Sequence, residues 1–132
     1  MPLSHYKADD VLTTLSTPHI MLHTANPGAD GEGNEAVSGT DDISRKPITL
    51  GSAENHETEE RRLVTNTDEV TWTGEEIDEA QEITHFSVWD AETLGNPVFI
   101  GALGVSQTIG SDGAKIEIGD LSLQLQVFEN PV

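Results

Sequence analysis

The stretch Ile83-Thr84-His85-Phe86-Ser87-Val88-Trp89-Asp90 is the strongest strand signal in the chain. Its β-branched and aromatic residues fit a pleated, half-buried surface. Ala91-Glu92-Thr93-Leu94-Gly95-Asn96 follows as a hairpin turn, and Pro97 to Leu103 returns antiparallel, with Gly101 hinting at a bulge. Further on, Ala114–Ile118 and Leu121–Phe128 read as a final pair joined through Gly119-Asp120. In the last strand Leu121, Leu123, Leu125 and Val127 alternate with Ser122, Gln124 and Gln126, which predicts one buried and one wet face.

On the N-terminal side, Arg61–Thr65 and Glu69–Thr73 are further strands, and Glu54–Glu60 is polar throughout, a short helix or an unstructured bulge. Lys46-Pro47-Ile48-Thr49-Leu50 is a brief edge strand, because Pro47 has no ladder donor. Residues 26–34 are dense in turn formers and predict an exposed loop. His19 to Thr24 is a strand with Ile20, Leu22 and Thr24 on one face and His19, Met21 and His23 on the other. Ser4 to Leu15 reads as a helix with Ser4 as N-cap, a stripe of Tyr6, Val11, Leu12 and Leu15, and a stop at Thr17-Pro18. About seven short strands and one terminal helix predict a mainly β fold, an antiparallel β-sandwich or jelly-roll-like barrel. A single domain over 1–132 is expected, with 51–66 as an acidic loop or insertion.

Composition narrows the function. Twenty-four Asp plus Glu face six Lys plus Arg, a net charge of -18, and there is no cysteine. Disulfides, thiolate metal sites and Cys nucleophiles are excluded together. With so few cations, no nucleic-acid partner is expected, since phosphate binding needs clustered Lys and Arg. No apolar run approaches the roughly 20 residues of a membrane span, and no signal-peptide pattern opens the chain. Self-repulsion at this charge weakens as salt shortens the Debye length, so a halophilic setting is the expectation. Eleven of the carboxylates lie between residues 54 and 82 against two bases, which reads as a solvated acidic face.

Candidate chemistry is sparse. His19 and His23 have a zinc spacing only on a helix, and on a strand they stand about 13 Å apart. Asp30-Gly31-Glu32-Gly33-Asn34-Glu35 resembles the start of a calcium loop, but Glu35 occupies the glycine position and Asp41 stands where a bidentate Glu is needed. His85 lacks a nucleophile or orienting carboxylate in its motif and reads as a structural histidine. No catalytic, cofactor-binding or metal residue is assigned, and no cofactor is expected. Trp72 and Trp89 could stack on a sugar, although core packing is the ordinary use of both.

Several motifs fall in a familiar order. Leu22 to Gly28 matches L-H-T-A-x-P-G. Gly31 to Gly39 matches G-x-G-x-E-V-S-G with Ala36 as an extra residue, and Arg45 to Thr49 fits the next strand. Thr84-His85-Phe86, Trp89-Asp90-Ala91, Gly95-Asn96, Gly101-Ala102-Leu103 and Gly119-Asp120-Leu121 to Leu125 complete the pattern. In these residues the chain resembles a family of small tailed-phage virion proteins labelled tail-fibre or head-decoration proteins. It departs from them between Gly51 and Asn66, where relatives are Ser/Gly-rich and neutral. The resemblance implies a non-enzymatic virion part of a virus with a halophilic host.

The leading expectation is a capsid decoration or turret subunit on the outer capsid surface. It would bind the major capsid protein or other virion proteins, and itself as a symmetric trimer, pentamer or hexamer. The N-terminal helix and strand 121–128 are the candidate interface elements. A tail-fibre or baseplate subunit contacting the host is the alternative, and a glycan-binding β-sandwich module is the third.

Overall fold

The computed structural model describes residues 4–13, 18–36, 43–55, 57, 60–74, 76–77, 79–109, 113–117 and 122–126. Its elements are α1 (His5–Thr13), β1 (His19–His23), β2 (Lys46–Pro47), β3 (Glu54–Asn55), β4 (Arg61–Thr65), β5 (Val70–Trp72), β6 (Gln81–Trp89), β7 (Pro97–Ile109), β8 (Ala114–Ile116) and β9 (Ser122–Gln126). The fold is mainly β, with every strand pairing antiparallel and one short helix near the N-terminus. The sheets run β2-β1-β6-β7, β3-β4-β9 and β5-β8.

The 83–90 signal becomes β6, an inner strand of the largest sheet. Ile20 pairs Val88 and Leu22 pairs Phe86. Because directly opposed residues share a face, these four form one apolar surface. Val64 and Leu123 of the second sheet and Val70, Trp72 and Ile116 of the third join them in one contiguous cluster. His19, Met21, His23, His85, Ser87 and Trp89 occupy the opposite face.

The bulge expected at Gly101 lies elsewhere. Gly101 pairs squarely with Phe86, and a Cβ there would come within 3.1 Å of the Phe86 ring, so the glycine makes room for an aromatic neighbour. The irregularities flank it. Val88 pairs Phe99 while Trp89 pairs Pro97, which leaves Val98 extra, and residues 103–106 of β7 oppose Thr84 alone. β7 runs on past the expected end at Leu103, to Ile109.

Two other expectations are corrected. Strands 114–118 and 121–128 do not pair with each other over the described residues: Ala114–Ile116 pairs β5 and Ser122–Gln126 pairs β4. Alternation determines which face a strand buries but not which strand it joins. The described residues of the 51–66 stretch are not all loop. Glu54–Asn55 pairs with Arg62 and Leu63, and β4 is the middle strand of its sheet, with Val64 fully buried. The strand expected over Arg61–Thr65 is present as β4, and the short pairing at Glu54–Asn55 falls where a polar helix or bulge was expected.

Ser4 caps α1 as expected, its Oγ accepting the Lys7 N–H at 3.2 Å and its carbonyl the Ala8 N–H at 2.9 Å. The buried residues are Ala8 and Leu12, one turn apart, whereas Tyr6 is 82% exposed. Tyr6 precedes Ala8 by two positions and so falls on the far side of the helix. The end at Thr17-Pro18 lies outside or at the margin of the described residues, as Leu15 does. What fixes the helix is an ion pair. Arg62 Nε and Nη2 donate to Asp9 Oδ1 and Oδ2 at 2.7 and 2.8 Å, and Nη1 donates to Asn55 Oδ1 at 2.8 Å. The carboxylate raises the Arg62 pKa above its ordinary value. One guanidinium thus ties α1 to β3 and β4. A double-mutant cycle of Arg62→Ala and Asp9→Ala, read by denaturant melts, is expected to give a coupling of about 1–2 kcal/mol, above that of an open surface pair. Additive losses would show that apolar packing alone holds the helix.

Candidate functional site

The buried polar groups of the largest sheet converge on Trp89. Beyond β1 the chain turns through residues 24–36 and folds back over the outer face. Thr24 N–H donates to the Asn34 carbonyl and Ala36 N–H to the Leu22 carbonyl, both at 2.9 Å. Inside the loop, Asn26 Oδ1 accepts from Gly28 N–H at 2.9 Å and Asp30 Oδ1 from Glu32 N–H at 3.0 Å. Such side-chain closures make the turn rigid. The loop was expected to be exposed, yet Pro27 and Gly31 are buried. At Gly31, with φ +70°, a Cβ would lie 2.9 Å from Pro97 Cβ and 3.1 Å from Trp89 Cζ2, so a side chain would push the loop off the indole.

Underneath runs a directional hydrogen-bond chain. Trp89 Nε1–H donates to Ser87 Oγ at 2.8 Å, and Ser87 Oγ lies 2.7 Å from His23 Nε2. His23 Nδ1 is 2.8 Å from the Gly33 carbonyl, which can only accept, so Nδ1 carries the proton. The neutral imidazole then accepts the Ser87 hydroxyl proton at Nε2. Each named polar atom is satisfied, and both His23 and Ser87 are fully buried. Burial drives the His23 pKa below its ordinary value, with a smaller push from His85 across the strand pair and an opposing pull from the Gly33 bond.

Arg45 closes the site from above. Its guanidinium lies 3.6 Å from the Trp89 ring centroid, a cation–π contact. Nη1 donates to the Ala91 and Leu94 carbonyls at 3.0 and 2.6 Å. The 91–96 turn is closed at its base, where Asp90 N–H donates to the Asn96 carbonyl at 3.1 Å and Asn96 N–H to Asp90 Oδ1 at 2.8 Å. Leu94 and Gly95 both take positive φ, and at Gly95 an added Cβ would also collide with the Asp90 carboxylate. Desolvation lowers the Arg45 pKa, against the upward pull of Glu35, Asp90 and Glu32.

The arrangement fixes shape rather than supplying chemistry. A Ser–His contact of this length resembles a nucleophile and its base. Here the hydroxyl oxygen already accepts from Trp89 and is sealed from solvent, so a substrate cannot reach it. His85, expected as a structural histidine, hydrogen-bonds Thr84 Oγ1 through Nδ1 at 2.8 Å. Among the described residues no group of three or more His, Asp or Glu side chains is placed to hold a metal ion, and Asp41 lies outside them. Core packing, the ordinary use expected of both tryptophans, is what the structure shows. Trp72 is fully buried with Nε1–H on the Ser44 carbonyl at 2.9 Å, and Trp89 lies under Arg45.

Several of the motif blocks quoted from the sequence therefore meet in space, although the described part of the closing block, Ser122 to Leu125, lies in the second sheet. His23, the 26–34 loop, Arg45, Trp89-Asp90 and Gly95-Asn96 all lie on or beside this one construction. A protein family described as podophage GP4 fiber I protein gp80 matches residues 3–124. The chain belongs to that family. No curated protein matches it. Membership in this phage fibre family makes the chain a structural protein of the virion.

The sequence alone does not connect Ser87, Arg45 and Gly33 with Trp89. The available signals were a serine between Phe86 and Val88 and an Arg45-Lys46 pair in an acid-rich chain. The depressed His23 pKa has a pH consequence. Below about pH 6.5 the unfolded chain takes up a proton at His23 that the folded chain resists, so stability falls as pH drops from there through the folded pKa. Thermal melts between about pH 7.5 and 5 are expected to show this slope, flattened in His23→Gln. An equal slope in the variant would assign the acid sensitivity to other groups.

Proposed function

We propose that this protein is a tail-fibre subunit of a tailed virus, built into the particle with other virion proteins and with further copies of itself. The observation that carries this reading is the family match over residues 3–124, whose description names a fibre protein. The rigid end of the β6–β7 hairpin supports it. Arg45 holds the turn on Trp89, and Leu94 at the turn is 86% exposed. A clamped, solvent-facing apolar residue suits repeated contact with a neighbour better than a loop that must first be ordered. The reading takes the tail alternative over the capsid decoration or turret subunit, for which the family description offers no support. Immunogold labelling of particles tests it. Label on the tail is expected, and label spread over the capsid would return the decoration reading. Copy number gives the same decision, since hundreds per particle belong to a shell and a few dozen or fewer to a tail apparatus.

The charge completes the proposal with a setting. Of 24 carboxylates, at most six can be offset by Lys or Arg, and the acidic side chains at Glu54, Glu57, Glu60, Glu69 and Glu79 are exposed. We read this surface as that of a particle living in high salt, where screening removes the repulsion. The melting temperature is expected to rise with NaCl beyond about 1 M, where the Debye length is near 3 Å. A melting temperature that levels off at low salt would remove the halophilic setting while leaving the fibre assignment intact.

A further inference from the structure

β7 lies at the edge of the largest sheet, and among the described residues no strand pairs with its outer side. From Thr93 to Ser111, nineteen consecutive residues contain no Asp, Glu, Lys or Arg. The chain has one other uncharged stretch of that length, residues 11–29, but its strand β1 lies between β2 and β6. Of these two long stretches only 93–111 places its strand at a sheet margin, and β7, at 13 residues, is longer than the other uncharged margin strands, β5 and β9. The opposite margin, β2, consists of Lys46 and Pro47, the residue types that protect an edge from pairing.

Between Val98 and Ala102 the outward face of β7 is apolar as well. Phe99 and Leu103 pack against the core. Ile100 pairs Ser87 and Ala102 pairs His85, which places both on the outer face with Trp89. The 24–36 loop covers that face over β1 and β6 but leaves Val98, Ile100 and Ala102 exposed, the first two at 37% and 36%. A sheet face turned to water normally alternates to polar residues, and here it does not.

We propose that β7 is a self-association surface, on which a second copy of this chain pairs antiparallel about a two-fold axis near Ile100–Ala102. Charge selects the occupant. Each copy carries -18, and burying unpaired carboxylates in a contact is costly even where salt screens the open surface, so two copies fit best where the facing surfaces lack them, as this edge does on both. A basic partner would instead be drawn to the acidic 54–82 region. The bulges at Val98 and 103–106 bound the flat part of the strand and restrict the register. An isologous pair would join two four-stranded sheets into one and remove an otherwise open edge. This deepens the fibre reading, which calls for repeated copies, but it is tested on purified protein independently of where the particle carries it.

Sedimentation equilibrium of the full chain at about 1 M NaCl, where mutual repulsion is screened, is expected to give twice the 14.2 kDa monomer mass. Ile100→Glu with Ala102→Glu would bury like charges at the axis and weaken the dimer at least about 100-fold. Both positions are already solvent-facing, so the melting temperature of the diluted monomer should stay close to that of the wild type. Thr71→Glu, at an exposed position of β5, should leave association unchanged. A wild-type chain that stays monomeric up to about 100 μM overturns the proposal, as does any oligomer indifferent to the two glutamates. Tail labelling combined with a monomeric chain would end this inference and keep the fibre assignment.

Discussion

Burying the indole of Trp89 is the constraint on which the largest sheet is organised. A tryptophan removes roughly 150–250 Å² from water, but its N–H must still find an acceptor. Ser87, two residues earlier on the same face, provides the oxygen. The serine then needs an acceptor for its own proton and finds it in Nε2 of His23 on the neighbouring strand. That bond sets the imidazole tautomer, and Nδ1–H in turn needs the Gly33 carbonyl. Three hydrogen-bonding groups follow from one buried ring, and the last lies in the loop that covers the ring. Because an unpaired buried polar group costs about 1–3 kcal/mol, the chain has no inexpensive partial form. It specifies the β1–β6 register and the loop path together, since slipping by one residue would put His23 on the wrong face.

The sequence made individual strands legible and left their partners hidden. β6 and β4 could be read from local residues because β-branched and aromatic side chains mark a strand wherever it pairs. β8 and β9 were taken as a hairpin because they are adjacent, and adjacency is a good guide only when no distant strand competes. Here β5 and β4 compete successfully, burying Ile116 against Val70 and placing Leu123 beside Val64. The site was less legible still. His23 and Ser87 are 64 residues apart, and Arg45 meets Leu94 across 49. No periodicity connects such positions. Their motif blocks gave an order along the chain, but the common centre emerged only once the register superposed them.

The few cations show how a strongly acidic chain divides its work. Lys7 with Asp10 and Lys115 with Glu69 are open pairs, of the kind worth about 0–1 kcal/mol. Lys46 joins Glu76, half-shielded, and lowers that carboxyl's pKa. Arg62 and Arg45 occupy the sites where a planar fork matters. One grips a carboxylate with two nitrogens, and the other covers an aromatic face while reaching two carbonyls. Neither position could be taken by lysine without losing geometry. Cations are therefore deployed as fasteners between elements, not as a neutralising layer, and the bulk of the repulsion is left to the solvent.

The fastening has a direction. Both the 24–36 loop and the 91–96 turn are held at the Trp89 end of β6, so β7 leaves that end at a fixed position and angle. Its inner side is held by β6 and by Phe99 against the core, with the Phe86 ring lying over Gly101. Ile100 and Ala102 therefore stand on a strand whose conformation is settled before any neighbour arrives. A surface prepared in this way loses little entropy on association, which is what lets modest contacts accumulate along a repeating assembly. The same arrangement explains why the buried polar chain and the uncharged edge occur on one sheet. The first makes the sheet rigid, and only a rigid uncharged edge can discriminate one register of a second copy from the others.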